Sequence, residues 1–302
     1  RVHVEGGRAV WLVGGGRRAR TADGVSRSGG SFMGPSSGVG HAGVQGRMAS
    51  VSEQYARDGF VILRRVFAPE HLAMLDERLE SLVRVRPTGQ VLFTHRPPPP
   101  GQRPMCALMD QWFGRLQREE SAGPLLASLE DLVSGVVGTT MSPFQDVALR
   151  KAQRHQPFPW HQDLPYWPVD LDRGAISWVP LDPVSETNGA LWLAAGSHRG
   201  PVQAAVDLHD GTLQDGSGDF VQVGAAVCVS LEPGDVLVFD ARCAHRSGVN
   251  RCEADRRAWA ISWTDAAARW AHARAPRHPL TATTTDGEEV RKWSHKTYLS
   301  RG

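Results

Sequence analysis

Long apolar runs are absent from this 302-residue sequence, and none approaches the ~18 residues needed to span a membrane. Cysteine is scarce as well. The four cysteines are scattered without a Cys-x-x-Cys pair, which favours a reduced, cytoplasmic compartment. A net charge of only +2 argues against a surface that coats nucleic acid. The sequence therefore predicts a soluble globular protein without a membrane or nucleic-acid partner.

Lysine, isoleucine and asparagine are also rare, with three, three and two residues, whereas arginine occurs 31 times. This bias is typical of a GC-rich genome, so the excess of arginine by itself indicates no acidic partner. The hydrophobic fraction is nevertheless 41%, which is ample for one large core or two smaller ones in a chain of this length.

Residues 1–47 are poor in acids, with only Glu5 and Asp23, and rich in glycine, serine and arginine. They show no sustained apolar period, so they cannot bury enough surface to offset the entropy lost on ordering. We expect a disordered segment or an upstream translated extension, since Met48 opens a more protein-like stretch. The composition also fits a transit peptide, although no amphipathic helix is evident.

Residues 48–140 are expected to be mostly helical. The stretch DGFVILRRVF (58–67) predicts a short strand, and the Pro69 that follows suits the first position of a helix. That helix carries an apolar stripe of Leu72, Leu75, Leu79 and Leu82. The proline-rich residues 84–105 predict a long loop or a lid. Helical patterns return in two segments, 107–117 and 124–137.

Beyond Ser142, short β-like runs alternate with glycine and proline turns. The runs are DVALRK, GAISWVPL, GALWLAAG, GAAVCVSL, GDVLVFD and RAWAISW. Several short strands at this spacing predict an all-β sandwich or barrel. The expected fold class is mainly β with flanking helices, in a single domain over 48–302 with its β-core at 141–268 and a C-terminal tail at 269–302.

The stretch PWHQDLPYWP (159–168) sets His161 and Asp163 two positions apart. On an extended strand such residues point to the same face, so both side chains can reach one metal. Two histidines and one carboxylate form the facial triad of non-haem Fe(II) oxygenases, which leaves positions open for substrate and O2. Among the twelve histidines, His245 is the best placed third ligand, because it follows the buried strand DVLVF at its exit.

Arg256 lies eleven residues beyond His245, in ADRRAWAISW. On a strand, one face would carry Arg256, Ala258, Ala260 and Ser262, and the other Arg257, Trp259, Ile261 and Trp263. One arginine followed by small residues leaves room for a bound molecule, and arginine binds carboxylates bidentately. A dicarboxylate anchored there could present its other end to the metal. The alternative is a surface arginine beside Arg257.

Three motifs taken together, WHQDLPYWP, SWVPLDPVSETNGALWLAAGSHRG and HRSGVNRCEADRRA, resemble those of the phytanoyl-CoA dioxygenase family. The resemblance covers about residues 50–265. It implies a double-stranded β-helix (jelly-roll, cupin-like) core and dependence on Fe(II) and 2-oxoglutarate. One departure is Ala195, where the family usually has proline before Gly-Ser-His, and this change affects a turn rather than the chemistry.

The resemblance also implies roles for individual residues. The iron ligands would be His161, Asp163 and His245. The 2-oxoglutarate residues would be Arg256 on the distal carboxylate, with Ser247 and Trp178 in the same pocket. The candidate substrate residues are Tyr166, Trp167, Trp160, Gln162 and Lys151. The three aromatic residues could form an apolar wall or simply pack in the core, while Gln162 and Lys151 match family positions without an assigned role. His198 matches a family turn and is expected to be structural.

The implied function is a dioxygenase that uses Fe(II), 2-oxoglutarate and O2 to hydroxylate an unactivated C–H bond, with release of succinate and CO2. Asp163 favours hydroxylation over halogenation, because related halogenases carry glycine or alanine there to make room for chloride. No basic patch suited to a nucleotide phosphate stands out, so we expect a small molecule of secondary metabolism rather than a CoA thioester. Two alternatives stay open: a non-catalytic metal-binding jelly-roll protein, and a Zn-dependent jelly-roll hydrolase or isomerase.

Overall fold

The computed structural model describes residues 2–5, 8–11, 50–85, 92–93, 111–112, 123–154, 157–203 and 226–294. The chain divides into two compact units, Arg1–Ser50 and Val51–Gly302. In the first unit, β1 (Val2–Glu5) and β2 (Arg8–Trp11) form an antiparallel pair. These strands are rich in valine, which favours β structure. The disorder predicted for residues 1–47 does not extend to this pair, and the rest of that segment lies outside the described residues.

The second unit begins with helices and short strands, the first of which starts one residue earlier, at Ser50. They are α1 (50–58), β3 (Phe60–Leu63), α2 (Pro69–Val85), β4 (Leu92–Phe93), β5 (Gln111–Trp112) and α3 (Gly123–Val137). The strand predicted in DGFVILRRVF and the helix predicted from Pro69 are both present. The helical pattern at 124–137 corresponds to α3. The pattern at 107–117 and the loop at 84–105 lie largely outside the described residues, and β5 is extended where a helix was predicted.

All six predicted β-like runs form strands. The strands of this part are β6 (Met141–Lys151), β7 (Phe158–His161), β8 (Gly174–Pro180), β9 (Leu191–Ala194), β10 (Ala226–Cys228), β11 (Val236–Asp240), β12 (His245–Ser247) and β13 (Arg256–Asp265), and the short helix α4 (Val290–Ser294) follows. They form two antiparallel sheets, ordered β3-β11-β8-β13-β6 and β10-β9-β12-β7. This architecture confirms the prediction of a mainly β jelly-roll with flanking helices.

The two faces of β13 are used as the sequence predicted. Trp259, Ile261 and Trp263 pack in one core cluster, together with residues of α2 and α3. Ala258 and Ala260 belong to the other cluster, which lies between the two sheets. Burying each large side chain contributes roughly 1.5–3 kcal/mol, so the tryptophan face fastens the helices to the sheet. The inner face of β13 thus carries the smaller side chains. Within the described ranges, no helix combines the length and apolarity needed to cross a bilayer.

Candidate metal centre

Three side chains that could bind a metal, which the sequence analysis had grouped, converge at one edge of the smaller sheet. The ligand atoms of His161, Asp163 and His245 lie within 4.8 Å of one another. Oδ1 of Asp163 is 3.3 Å from Nε2 of His161 and 3.7 Å from Nε2 of His245. Metal–ligand bonds of about 2.0–2.2 Å put neighbouring donors of an octahedron about 3 Å apart. The observed spacing therefore needs only small side-chain adjustments to hold one ion.

The two histidines are brought together by strand pairing. His161, the last residue of β7, lies directly opposite His245, the first residue of β12, in an antiparallel register. Opposed residues of an antiparallel pair point to the same face of the sheet. Their ring centroids are 4.2 Å apart, and β9 flanks β12 on its other side through Leu193. The facing pair is thus held between the edge strand and an inner strand.

Asp163 reaches the centre by a different route from the one predicted. Strand β7 ends at His161, and Asp163 has helical dihedral angles (φ −81°, ψ −34°) at the start of the 3-10 turn Leu164–Tyr166. The backbone N–H groups of Asp163 and Leu164 both donate to the carbonyl of Ala241, at 3.0 and 3.1 Å. The carboxylate is therefore positioned by a turn that is hydrogen-bonded to Ala241 of the other sheet's loop. The alternation of side chains along a strand does not position it.

Backbone carbonyls determine which nitrogen of each histidine faces the centre. Nδ1 of His161 is 3.0 Å from the oxygen of Pro159, and Nδ1 of His245 is 3.0 Å from the oxygen of Cys243. A carbonyl oxygen can only accept, so each Nδ1 carries the hydrogen and each Nε2 keeps its lone pair. Metal-bound histidines have this arrangement, because the second bond fixes both the tautomer and the ring orientation.

The electrostatics of the cluster favour the protonation states that bind a metal. Burial, together with a smaller effect of the neighbouring His161, lowers the pKa of His245 to about 4. Burial alone would raise the pKa of Asp163, but the electrostatic influence of the adjacent His245 and His161 outweighs it and holds that pKa below its ordinary value. At neutral pH a neutral imidazole therefore lies beside an ionised carboxylate, as metal binding requires.

Gln162 joins the two segments that carry the three side chains. Its Nε2 donates to the carbonyl of Arg242 at 2.7 Å, in the turn that leads to His245. Its Oε1 accepts from the backbone N–H of Gln203 at 2.8 Å. This side chain is buried, and its polar atoms face backbone groups. The residue that the sequence placed among the substrate candidates thus holds the centre together.

The three aromatic candidates lie in different surroundings. Trp160 alternates with His161 and packs on the outer face of the smaller sheet, with the guanidinium of Arg246 5.4 Å from its ring centroid. Trp167 is buried against Phe144, with ring centroids 4.8 Å apart. Tyr166 is half-buried in the turn after Asp163. Trp160 therefore points away from the centre. Tyr166 and Trp167 lie three and four residues after Asp163, on the segment that follows it in the chain.

Two phenylalanines beside the histidines were missed in the sequence. The ring of Phe158 lies 4.7 Å from that of His161, and the ring of Phe239 lies 4.8 Å from that of His245. They restrict the imidazoles from the apolar side. Their positions on buried strands carried no signal that separates them from ordinary core residues.

A buried cation with unfilled hydrogen-bond donors lies at one end of β13. Arg256 is 2% exposed, and its guanidinium carbon is 5.0 Å from the ring centroid of Trp178. Burial lowers the pKa of Arg256 to about 10, which leaves it charged at neutral pH. Among the described residues, neither its Nε nor its Nη1 has a hydrogen-bond partner. A buried charge in this condition is costly unless an anion pairs with it.

Lys151 and Ser247 complete this basic corner. Lys151 lies directly opposite Arg256 across β6 and β13 and is fully buried. Its Nζ donates to Oγ of Ser247 at 3.0 Å, and Ser247 follows His245 by two residues on β12. Arg256 is thereby linked, through Lys151 and Ser247, to the strand that carries His245. A carboxylate suits this corner, since it can pair with the donors of Arg256 that have no partner among the described residues.

Comparisons with known proteins agree with this geometry. The family model described as phytanoyl-CoA dioxygenase (PhyH) matches residues 55–258. Peroxisomal phytanoyl-CoA dioxygenase of Bos taurus is 29% identical over 126 residues, which are 39% of this chain and 35% of that protein. Ectoine dioxygenase of Bordetella bronchiseptica is 29% identical over 157 residues, 49% of this chain and 48% of that protein.

Two solved structures share the fold. EvdO2 from Micromonospora carbonacea var. aurantiaca, complexed with 2-oxoglutarate, is 26% identical with a TM-score of 0.53, over 72% of this chain and 90% of that one. The epimerase SnoN, in complex with Fe3+, alpha ketoglutarate and nogalamycin RO, is 19% identical with a TM-score of 0.66, over 81% and 94%. The chain spans between about a third and a half of the curated relatives it matches. The match to the family model nevertheless covers most of the sequence, and the chain belongs to the phytanoyl-CoA dioxygenase family.

Proposed function

We propose that this protein is an Fe(II)- and 2-oxoglutarate-dependent dioxygenase that hydroxylates an unactivated C–H bond of a small molecule, releasing succinate and CO2. The observation that carries the proposal is the buried Arg256, whose Nε and Nη1 have no hydrogen-bond partner among the described residues. It lies opposite Lys151, which bonds to Ser247 on the strand that begins with His245. A metal site alone fits many functions. A metal site beside a buried carboxylate receptor fits an enzyme whose co-substrate is a dicarboxylate.

In this proposal His161, Asp163 and His245 hold the iron. Two imidazole nitrogens and one carboxylate oxygen on one side of an Fe(II) ion leave positions open for the co-substrate and O2. Bound iron supplies the activation of O2 and the oxidation of the C–H bond, with 2-oxoglutarate as the source of two electrons. The ionised Asp163 also supports hydroxylation, since it occupies the space in which a halide would bind.

The chain's own residues bind and orient the co-substrate. Arg256 forms charge-assisted hydrogen bonds to the distal carboxylate, and Trp178 covers the guanidinium. Lys151 holds the Ser247 hydroxyl through an Nζ–H donor, so that hydroxyl directs its own hydrogen outwards to the same carboxylate. The corner is buried, which excludes water and strengthens each of these interactions.

The proposed substrate is a small molecule of secondary metabolism, and the proposed location is the cytoplasm, with no nucleic-acid or membrane partner. The cysteines Cys228, Cys243 and Cys252 are free, which suits a reducing compartment. Curated relatives are named for phytanoyl-CoA and for ectoine, two very different substrates. The family therefore supports the reaction type and leaves the substrate to be read from this chain's own cavity.

Anaerobic titration tests the proposal. Fe(II) and 2-oxoglutarate are added to purified protein, and the metal-to-ligand charge-transfer absorption is recorded for the wild type, His161→Ala and Arg256→Ala. We expect the band in the wild type and a weakened band in both variants. Iron binding without a band would favour a non-catalytic metal-binding protein. A Zn-dependent hydrolase or isomerase would need no dicarboxylate anchor, so it would leave Arg256→Ala fully active.

A further inference from the structure

A β-bulge alters the inner face of the larger sheet near its end. Strands β6 and β13 pair regularly until Gln145 and Ser262, and the register then shifts so that Trp263 lies opposite Pro143. Phe144 is the extra residue, and it packs between the sheets. Bulges often re-aim side chains beside functional sites. Here the shift brings Phe144 and Gln145 together at the inner face.

Gln145 is the centre of a hydrogen-bonded chain of three side chains. Its Nε2 donates to Oγ of Ser262 at 2.9 Å, and its Oε1 is 2.9 Å from Nε2 of His278. Nδ1 of His278 accepts from the backbone N–H of Leu280 at 3.2 Å. Because Nδ1 accepts, Nε2 carries the hydrogen and donates to Gln145. Burial lowers the pKa of His278 to about 4, which is consistent with this neutral tautomer at neutral pH.

The hydrogen bonds run from His278 through Gln145 to Ser262, and this direction leaves N–H and O–H donors at Gln145 and Ser262. An amide NH2 group has two N–H donors, and Gln145 uses one of them on Ser262. The Ser262 hydroxyl accepts that bond, and among the described residues neither its own hydrogen nor the second Nε2 hydrogen of Gln145 has an acceptor. Gln145 and Ser262 are 9% and 7% exposed. Two donors that are nine-tenths buried form a polar spot that an oxygen acceptor would satisfy.

This spot faces the open space between the sheets. Ala260 lies on the inner face of β13 and Val147 lies opposite it on β6, and both are partly exposed although β13 is an interior strand. The partial exposure of these two side chains shows that the inner face of the sheet is not completely covered there. Arg256 is at one end of the same face of β13 and Ser262 is six residues further along.

The segment that carries a candidate metal ligand runs past the same place. Phe144 stacks edge-on against Trp167, which follows Asp163 by four residues. Trp167 also fills the space next to Gly174, where a Cβ would lie 2.2 Å from its ring. The segment that follows Asp163 therefore contacts Phe144, the neighbour of Gln145, through Trp167.

We propose that Gln145 and Ser262 form a substrate-binding subsite that donates hydrogen bonds to an acceptor oxygen, such as a carbonyl or carboxylate, and that His278 is a positioning residue that fixes the Gln145 amide. The subsite deepens the proposed function, on which its role in substrate orientation rests. A substrate anchored by one oxygen presents a defined C–H bond to the metal centre. The substrate class is thus an oxygen-bearing molecule rather than a plain hydrocarbon chain.

Two isosteric probes test the subsite directly. Cyclohexanone and methylenecyclohexane differ in one acceptor oxygen, and each is titrated into full-length protein labelled with 15N at its glutamine side chains. The Gln145 amide signal is assigned by its loss in Gln145→Leu. We expect cyclohexanone to shift this signal saturably and methylenecyclohexane to leave it in place. Loss of one hydrogen bond in Ser262→Ala should weaken cyclohexanone binding about two- to tenfold.

Ser142→Ala is the matched control, because Ser142 is a buried serine on β6 whose hydroxyl has no hydrogen-bond partner among the described residues. It should leave the cyclohexanone response unchanged. His278→Phe should remove the response while the protein stays folded, which a merely structural tie of the C-terminal segment would not cause. A Gln145 signal that ignores cyclohexanone, or that responds equally to both probes, would overturn the subsite.

The charge-transfer band, measured on the same wild-type sample and the Ser262→Ala variant, keeps the two proposals separate. A band without the cyclohexanone shift would retain the oxygenase and reject the subsite. The shift without the band would retain an oxygen-binding pocket and reject the 2-oxoglutarate chemistry.

Discussion

His161 and His245 lie directly opposite each other on two antiparallel strands, with ring centroids 4.2 Å apart and each Nδ1 bonded to a carbonyl two residues earlier in its own strand segment. The pair is therefore pre-oriented before any ion binds. Pre-orientation reduces the entropy lost on binding and makes both Nε2 atoms available at once.

Removing either histidine should abolish stabilisation by iron. Fe(II) added anaerobically at about 100 times its Kd should stabilise the wild type by about 2.7 kcal/mol, whereas His245→Ala should gain almost nothing. The measurement is thermal unfolding with and without Fe(II). His272→Ala, which changes a histidine on a separate 3-10 turn, is the control and should keep the full shift. An undiminished shift in His245→Ala would remove that residue from the metal site.

Arg256 and Arg257 offer a matched pair of variants on opposite faces of one strand. Arg256→Ala should weaken 2-oxoglutarate binding by about 2–5 kcal/mol, at least about thirtyfold in Kd, since a buried charge pair is lost. Arg257 instead bonds to Asp76 and Asp182 outside the inner cavity. Arg257→Ala should lower stability and leave the Kd for 2-oxoglutarate unchanged. Calorimetric titration of the Fe(II)-loaded proteins measures both values, and equal losses would contradict the assignment.

Gly174 should tolerate no side chain. A Cβ there would lie 2.2 Å from the ring of Trp167 and 3.0 Å from the carbonyl oxygen of Trp263. We expect Gly174→Ala to destabilise the protein by about 1–3 kcal/mol through overpacking, as measured by urea unfolding. Gly248→Ala is the control, because its nearest neighbours would be 3.6–3.7 Å away, in ordinary contact. Equal stability of the two variants would show that Trp167 can move.

The free energy of unfolding should decrease as the pH is lowered, and His278 should contribute to this decrease. Burial lowers the folded-state pKa of His278 from 6.5 to about 4, so the unfolded chain binds more protons between those values. The free energy of unfolding should therefore be highest above about pH 6.5 and decrease as the pH falls towards 4. One such group contributes a slope of up to about 1.4 kcal/mol per pH unit.

The contribution of His278 is the difference between two slopes. His278→Gln keeps an N–H donor for Gln145 but cannot titrate, so its free energy of unfolding should depend less steeply on pH in this window. Denaturant unfolding at several pH values measures both proteins without added metal. Because the pKa of His245 is lowered as well, the wild type and the variant should both keep a residual slope. Identical slopes would contradict the buried neutral state of His278.

Local patterns in the sequence were sufficient for much of the fold. The six β-like runs, the helix from Pro69 and the two faces of β13 follow from short-range periodicity, which burial on one side of a strand or helix imposes. Residue chemistry was equally informative at the candidate metal centre, because two histidines and a carboxylate are the donor set of the facial triad. A resemblance in three motifs then indicated the same family that the family model matches.

The sequence by itself determined the strand pattern, the ligand types and the arginine on the small-residue face. Tertiary structure alone decided the rest, because it depends on contacts between distant positions. Strand alternation was the wrong explanation for Asp163, whose turn is held by Ala241. Gln162 holds backbone groups 80 and 41 positions away. His278 meets Gln145 across 133 positions, a pairing that no local periodicity encodes and only the packed jelly roll creates.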